Sequence, residues 1–215
     1  RSDVLLYFIK SNQKFFKVSN NSSLYINSAE KHFLSIKKII HKKPPLTNIW
    51  LSKYETEIAR KMFNKYSNSR FLTLGLGANF EGKIWHVSKF IDLAKYLNFF
   101  FSVVVLVGDQ KDAALSKEFI SGYEGAVIDC CGSYDLLETA AIIKESNFFV
   151  GNDSGLGHIA SAVRTKSFTI FGVGEPQRYS PWSDDALWMQ DENYEIDNIK
   201  PKTIANKIIK QLKSL

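Results

Sequence analysis

The stretch of this sequence richest in chemistry runs Val150-Gly151-Asn152-Asp153-Ser154-Gly155-Leu156-Gly157-His158-Ile159-Ala160. It reads as the end of a buried strand, a turn of one acid and two small residues, and the start of a helix. The N–H groups of a helix's first turn lack intrahelical partners and carry partial positive charge, so an anion settles there readily. Gly155 and Gly157 let a phosphate approach the backbone with no side chain in the way. His158 falls on the first turn, where it could donate to a phosphate oxygen. The plainer alternative is that Asp153 caps the helix and His158 packs.

Two further loops have similar character. Gly75-Leu76-Gly77-Ala78-Asn79-Phe80-Glu81-Gly82-Lys83-Ile84-Trp85 is glycine-rich and places Lys83 where it could meet a phosphate; a solvent-exposed lysine is the other reading. It is not a P-loop, because Ile84 stands where a hydroxyl is needed for Mg²⁺. It is not the dinucleotide fingerprint either, because no third glycine follows Gly77 at the required spacing. In Val107-Gly108-Asp109-Gln110-Lys111-Asp112, Asp112 could cap the next helix or hold ribose hydroxyls.

The elements that must position these loops alternate regularly from Phe71 onward. Short apolar runs at Phe71–Leu74, Val103–Val107, Ala126–Ile128, Phe148–Val150 and Phe168–Phe171 predict strands. Helical spacing predicts helices over Ser88–Leu97 (Ser88 as N-cap), Asp112–Ile120, Asp135–Ser146 and about Ser154–Val163. Such alternation implies βαβ units and a parallel, doubly wound α/β sheet of Rossmann-like type, whose ligands bind outside the carboxyl ends of the strands. All three loops lie at such ends. Beyond Gly174 the chain reads as irregular until Pro201 opens a helix with Ile204, Ile208, Ile209 and Leu212 on one face. Earlier, Val4–Ile9 is strand-like, Ala29–Ile40 and Tyr54–Tyr66 are helical, and Pro44-Pro45 breaks the chain. The regular alternation thus begins at Phe71, and residues 1–70 stand outside it.

Composition narrows the partners. Of 215 residues, 28 are Lys or Arg against 22 Asp or Glu, and the net charge of +6 favours anionic ligands or an acidic membrane face. The basic residues are scattered, and the run Lys37, Lys38, His41, Lys42, Lys43 has no interleaved aromatics, so nucleic acid is not expected. Cys130 and Cys131 are adjacent, too close along the chain for an ordinary disulfide, and no His/Cys cluster suggests a metal. Free thiols point to a reducing compartment. No apolar run near the N-terminus is long enough to span a bilayer, so the expected location is cytoplasmic. The chain opens on Arg1 rather than Met, which reads as a fragment or a processed form.

Taken in order, GANFEGKIW, LVGDQKD, the Cys-Gly-Ser run before a helix containing Leu-Leu-Glu, GNDSGLGHIASA and FGVGEPQRYSPW resemble glycosyltransferase family 9. Those are the bacterial ADP-heptose:lipopolysaccharide heptosyltransferases and their relatives. The resemblance covers about Phe71 to Leu215 and implies the carboxyl-terminal half of a two-domain GT-B enzyme, with residues 1–70 the end of the N-terminal domain plus a linker and 71–215 the Rossmann-like nucleotide-sugar-binding domain. It implies Asn79 and Lys83 near the donor phosphates, with Lys83 the electrostatic catalyst. Asp153, Ser154, Gly155 and His158 would form the diphosphate and sugar site, Asp112 would lie near the ribose, and Gly132 and Ser133 would border the base. Arg178 matches a less regular part of the pattern.

The resemblance also implies a nucleotide-diphosphate donor, ADP-linked, with no metal required. The acceptor would be a glycolipid or oligosaccharide of lipopolysaccharide type, and the net positive charge permits peripheral contact with the anionic inner face of the inner membrane. The general base would belong to an N-terminal domain outside this chain, which would leave the chain binding nucleotide without transferring sugar. Leu156-Gly157 and Ile84 depart from the family's commonest residues and leave the donor sugar open. A non-catalytic nucleotide-sugar-binding module and a sugar-nucleotide epimerase are the rival readings.

Overall fold

The computed structural model describes residues 26–34 and 44–213. The strand expected at Val4–Ile9 and the later part of the helix expected over Ala29–Ile40 lie outside them. Six strands form one parallel sheet: β1 Phe71–Gly75, β2 Val103–Val107, β3 Ala126–Asp129, β4 Phe148–Asn152, β5 Ser167–Phe171 and β6 Ala186–Gln190. Their order is β3-β2-β1-β4-β5-β6. The chain winds outward from β1 on one side, then returns to β4 and winds outward on the other. That reversal opens a crevice above the carboxyl ends of β1 and β4, where Gly75 pairs with Gly151.

The helices are α1 Ser28–Leu34, α2 Lys53–Phe63, α3 Val87–Leu97, α4 Ala113–Gly122, α5 Leu136–Glu145, α6 Gly155–Ala162, α7 Pro176–Tyr179 and α8 Pro201–Lys213. They cover both faces of the sheet, which is why β2 could be five consecutive apolar residues, all buried. Side chains along each strand alternate between two cores. Val104 and Leu106 join Phe90, Leu97, Ile204 and Ile208 under α3 and α8. Val103 and Val105 join Ala59, Phe63, Ile142 and Ala160 under α2, α5 and α6. Each of the larger side chains, the valines, leucines, isoleucines and phenylalanines, contributes about 1.5–3 kcal/mol when fully buried. Helix α2 therefore packs on the sheet, and the segment before it is tied down where the Ile49 N–H donates to the Ala162 carbonyl.

Local chemistry sets the helix starts. α2 and α5 open with reciprocal capping boxes, Ser52 with Glu55 and Asp135 with Glu138. The cap of α3 is His86, not the expected Ser88: its Nδ1 accepts from the Ser88 N–H, so the helix starts earlier and carries Val87 into the core. The tract expected to be irregular after Gly174 holds α7 and β6. The latter is an edge strand with partly exposed residues, and its ALWMQ sequence lacks the flanking apolar signal of the central strands.

A side-chain amide joins the two halves of the sheet at the crevice. Asn152, fully buried at the end of β4, donates through Nδ2 to the Leu76 carbonyl at 2.7 Å and accepts the Trp85 N–H at 3.1 Å. Trp85 is itself buried, and its indole N–H donates to the Ile199 carbonyl. Asn152→Ala would leave two buried backbone groups unpaired, at about 1–3 kcal/mol each. Urea unfolding should show that loss with little change in m-value, and a variant within about 0.5 kcal/mol of the parent would contradict the assigned role.

Candidate functional site

A cleft of about 540 Å³ occupies the crevice. Four segments wall it: Gly77-Ala78-Asn79 after β1, Gly108 to Asp112 after β2, Tyr134 to Leu136 at the start of α5, and Ser154 to Leu156 at the start of α6. Each follows or opens an element whose register the sheet fixes, so the walls are set by the fold rather than by long loops.

Asp112 sits at one end. Its carboxylate accepts the Asp109 N–H at 3.1 Å, while Asp109 caps a short 3₁₀ turn over Gln110–Asp112. Asp112 makes no side-chain cap to α4. Glycine is required at both Gly77 and Gly108, because a methyl group on either would run into that carboxylate. Burial raises its pKa above the ordinary carboxylate range; the Asp109 hydrogen bond opposes this, the Asp109 charge adds to it, and Lys111 opposes it.

The N-terminus of α6 forms the opposite wall. Ser154 is the N-cap residue but makes no capping hydrogen bond, and its hydroxyl is shielded without a partner among the described residues. A Cβ on Gly155 would meet nothing within 4 Å. The first N–H groups of a helix lack intrahelical partners, and here the helix start lines an open cleft without a side-chain cap, an arrangement that suits an anion. At the edge, Lys83 Nζ pairs with Asp153 Oδ2 at 2.5 Å, their side chains 30% and 10% exposed. The loop carrying Lys83 is fixed from below: the Val173 N–H donates to the Gly82 carbonyl, and Gln190 donates to the Gly172 and Gly174 carbonyls.

The residues singled out from sequence separate into groups. Asn79, Asp112, Ser154 and Gly155 line the cleft together. Lys83 and Asp153 form the ion pair beside it. Gly132 and Ser133 do not line it; Tyr134, Asp135 and Leu136 do. Gly132 takes a positive φ of 68° against Gln110, and its N–H donates to the Gly108 carbonyl, bracing the turn behind the wall. His158 and Arg178 lie in a second cleft of about 390 Å³, on the far side of α6, with Tyr179, Trp182 and the segments around Asn27 and Asn48. His158 has an exposed surface, yet the chain crowding its ring lowers its pKa, with the Asp153 charge opposing.

Sequence reading missed Asn152, Tyr134 and Leu136. For Asn152 a signal was present, a lone amide ending an apolar strand. Cys130 and Cys131 are free, and burial, then Asp129, pushes both thiols up, Cys130 to about 12. Both stay protonated and inert at neutral pH. No helix among the described residues is long and apolar enough to cross a membrane.

The raised pKa of Asp112 makes a signed prediction. The folded state holds that proton more tightly than the unfolded chain, so the stability it lends at acid pH is lost as pH rises through the raised value. Asp112→Asn keeps an acceptor for the Asp109 N–H and removes the charge. It should be at least as stable as the parent at pH 7 in denaturant unfolding, with its advantage shrinking toward pH 4. An advantage that grows toward acid would contradict the burial argument.

Comparisons with known proteins follow this geometry. The model of glycosyltransferase family 9 (heptosyltransferase) matches residues 31–209. Lipopolysaccharide heptosyltransferase 3 of Escherichia coli (strain K12) is 28% identical over 139 residues, 64% of this chain and 35% of that protein. A family 9 glycosyl transferase from Veillonella parvula DSM 2008 superposes with a TM-score of 0.82 at 14% identity, covering 94% of this chain and 64% of the other. The E. coli ADP-heptose lipopolysaccharide heptosyltransferase II gives 0.71 at 22% identity, covering 82% and 55%. The chain thus spans about a third of the curated relative and between half and two thirds of the solved ones.

One expectation is corrected. That no metal is required was taken from the resemblance, but TibC of enterotoxigenic E. coli H10407, described as an iron-containing dodecameric glycosyltransferase, shares the fold at TM-score 0.57 and 14% identity, covering 86% of this chain and 54% of that one. Freedom from metal is therefore not a property of the architecture. Among the described residues no group of three or more His, Cys, Asp or Glu is placed to hold a metal ion. With its sheet order, its crevice and a family model matched over most of its length, the chain belongs to glycosyltransferase family 9.

Proposed function

We propose that this chain is the donor-binding half of a heptosyltransferase, which moves a heptose from an ADP-linked donor to a lipopolysaccharide- or lipooligosaccharide-type acceptor. The observation that carries this reading is the uncapped N-terminus of α6, facing an open cleft at the switch point of the sheet with nothing near the Cβ position of Gly155. The diphosphate fits against Ser154 and Gly155. From there the ribose reaches Asp112, whose carboxylate can accept from its hydroxyls. The base lies between Tyr134, Leu136 and Leu156; Leu136 is 67% exposed at the mouth and gives a flat ring apolar contact. Asn79 reaches the phosphates from the β1 loop.

Transfer breaks the bond between the anomeric carbon and the diphosphate oxygen, which keeps the electron pair, and forms a bond from that carbon to an acceptor hydroxyl. The sugar passes through oxocarbenium character, as in glycoside cleavage. What this half supplies is charge stabilisation of the departing diphosphate by fixed helix N–H groups and Lys83. The acceptor's proton goes to a base that we do not place in this half. We assign residues 71–215 to the donor unit and 1–70 to the end of the acceptor-side domain with its linker. The location proposed is the cytoplasmic side of the inner membrane, touched peripherally.

Calorimetric titration with ADP, UDP and GDP tests the reading, with Gly155→Ala as the decisive variant. The new methyl group meets no protein atom and favours the helix, so stability should hold or rise by about 0.4–1 kcal/mol. ADP affinity should fall about tenfold or more, since the methyl group occupies the approach to the helix N-terminus. Equal ADP binding by parent and variant, or no diphosphate bound by the parent, would sink the proposal.

A further inference from the structure

We propose that a third cleft, of about 550 Å³, is a second ligand site that takes a small phosphate monoester carried on an aromatic body. It lies between α2 and β3, the strand at the outer edge of the sheet. The transferase reading leaves this cleft without a role. Tyr134 alone is common to its lining and that of the donor cleft.

Two cations set its charge. Lys61 stands in the last turn of α2, and Lys65 lies four residues on, in the 3₁₀ turn Asn64–Tyr66 that continues the helix. Residues at that spacing share one face, and both lysines line the cleft. Both are exposed, and neither forms an ion pair or a side-chain hydrogen bond with another described residue. The carboxylate in the lining, that of Asp129, is already engaged: it accepts the Ser116 hydroxyl at 2.9 Å and the Cys131 N–H at 3.0 Å. A phosphate monoester brings close to two negative charges and three acceptor oxygens at neutral pH, which matches two ammonium groups. A carboxylate, with one charge, matches the pair less well.

The rest of the lining is apolar, from Ile58, Met62, Val127 and Ile128. Met62 is held by buried Cys130, whose thiol donates to its sulfur at 3.7 Å. Tyr66 and Tyr134 also line the cleft, and Tyr66 is braced edge-on against Phe71, with ring centroids 6.4 Å apart. Two tyrosine rings and a thioether suit a flat aromatic ring better than an alkyl chain. The volume is that of a small-molecule site, and so is the mixture of an apolar lining with a few charged groups at fixed places. A bare anion would leave the apolar surface unused, and a neutral ring would leave both lysines unmatched.

The chain is titrated with naphthyl phosphate, naphthoate, naphthol and inorganic phosphate by ligand-observed NMR, with and without saturating ADP. The proteins are the parent, Lys61→Gln with Lys65→Gln, and Lys61→Arg with Lys65→Arg. Naphthyl phosphate should bind the parent more tightly than naphthoate, and both more tightly than naphthol or inorganic phosphate. Its binding should persist with ADP present, fall about tenfold or more in the glutamine pair, and survive in the arginine pair, which keeps both charges. The exposed positions of both lysines leave the fold intact in these variants. ADP affinity should be the same in all three proteins, since neither lysine lines the donor cleft. No naphthyl phosphate bound by the parent, equal binding by the glutamine pair, or displacement by ADP would overturn the proposal. Equal affinity for naphthol or for inorganic phosphate would overturn it too, by removing the need for one half of the ligand.

Discussion

The structure depends on a buried amide at the point where the sheet changes direction. Doubly wound folds open a crevice there because neighbouring strands send their chains to opposite sides, and nothing in the backbone ladder holds the departing loops together. Asn152 does so: it takes the Leu76 carbonyl from one side of the β1 loop and the Trp85 N–H from the other. With both groups satisfied in a dry environment, the loop keeps one conformation. Trp85 extends the hold to Ile199, just before α8. Gly77 and Asn79 of that loop line the cleft, with Lys83 at its edge, on a loop that this side chain holds at both ends.

Around that fixed loop the electrostatics are arranged in opposition. The α6 N-terminus brings partial positive charge without a capping side chain to offset it. Asp112, across the cleft, brings a carboxylate that burial drives toward its neutral form. Lys83 and Asp153 neutralise one another at the edge. Charged and partly desolvated groups are thus spaced around a cavity instead of being paired across it. A carboxylate shifted by burial in a cleft is a recognised pointer to a site that receives a polar ligand.

Much of this was legible from the residues. β1, β2, β4 and β5 announced themselves as apolar runs ending in glycine or a polar turn, because strands buried on both faces need no polar alternation. β6 did not, since an edge strand may mix exposed and buried residues freely. The α3 cap was misplaced by two residues because a histidine ring did the work of a hydroxyl. At the site, Asn79, Asp112, Ser154 and Gly155 could be gathered from motif spacing, since each sits within a few residues of a strand end. His158 and Arg178 could not be separated from them. Whether the fourth residue of a helix faces one side or the other depends on how the helix lies on the sheet, which motif spacing does not encode. Tyr134 and Leu136 went unnoticed because an aromatic and an aliphatic residue before a helix look like ordinary packing.

Helix α6 is eight residues long and stands as a single partition between two chambers, with Ile159 belonging to both. A change of side-chain volume at Ile159 therefore reaches both clefts at once, because in a close-packed interior everything that touches a side chain feels its size.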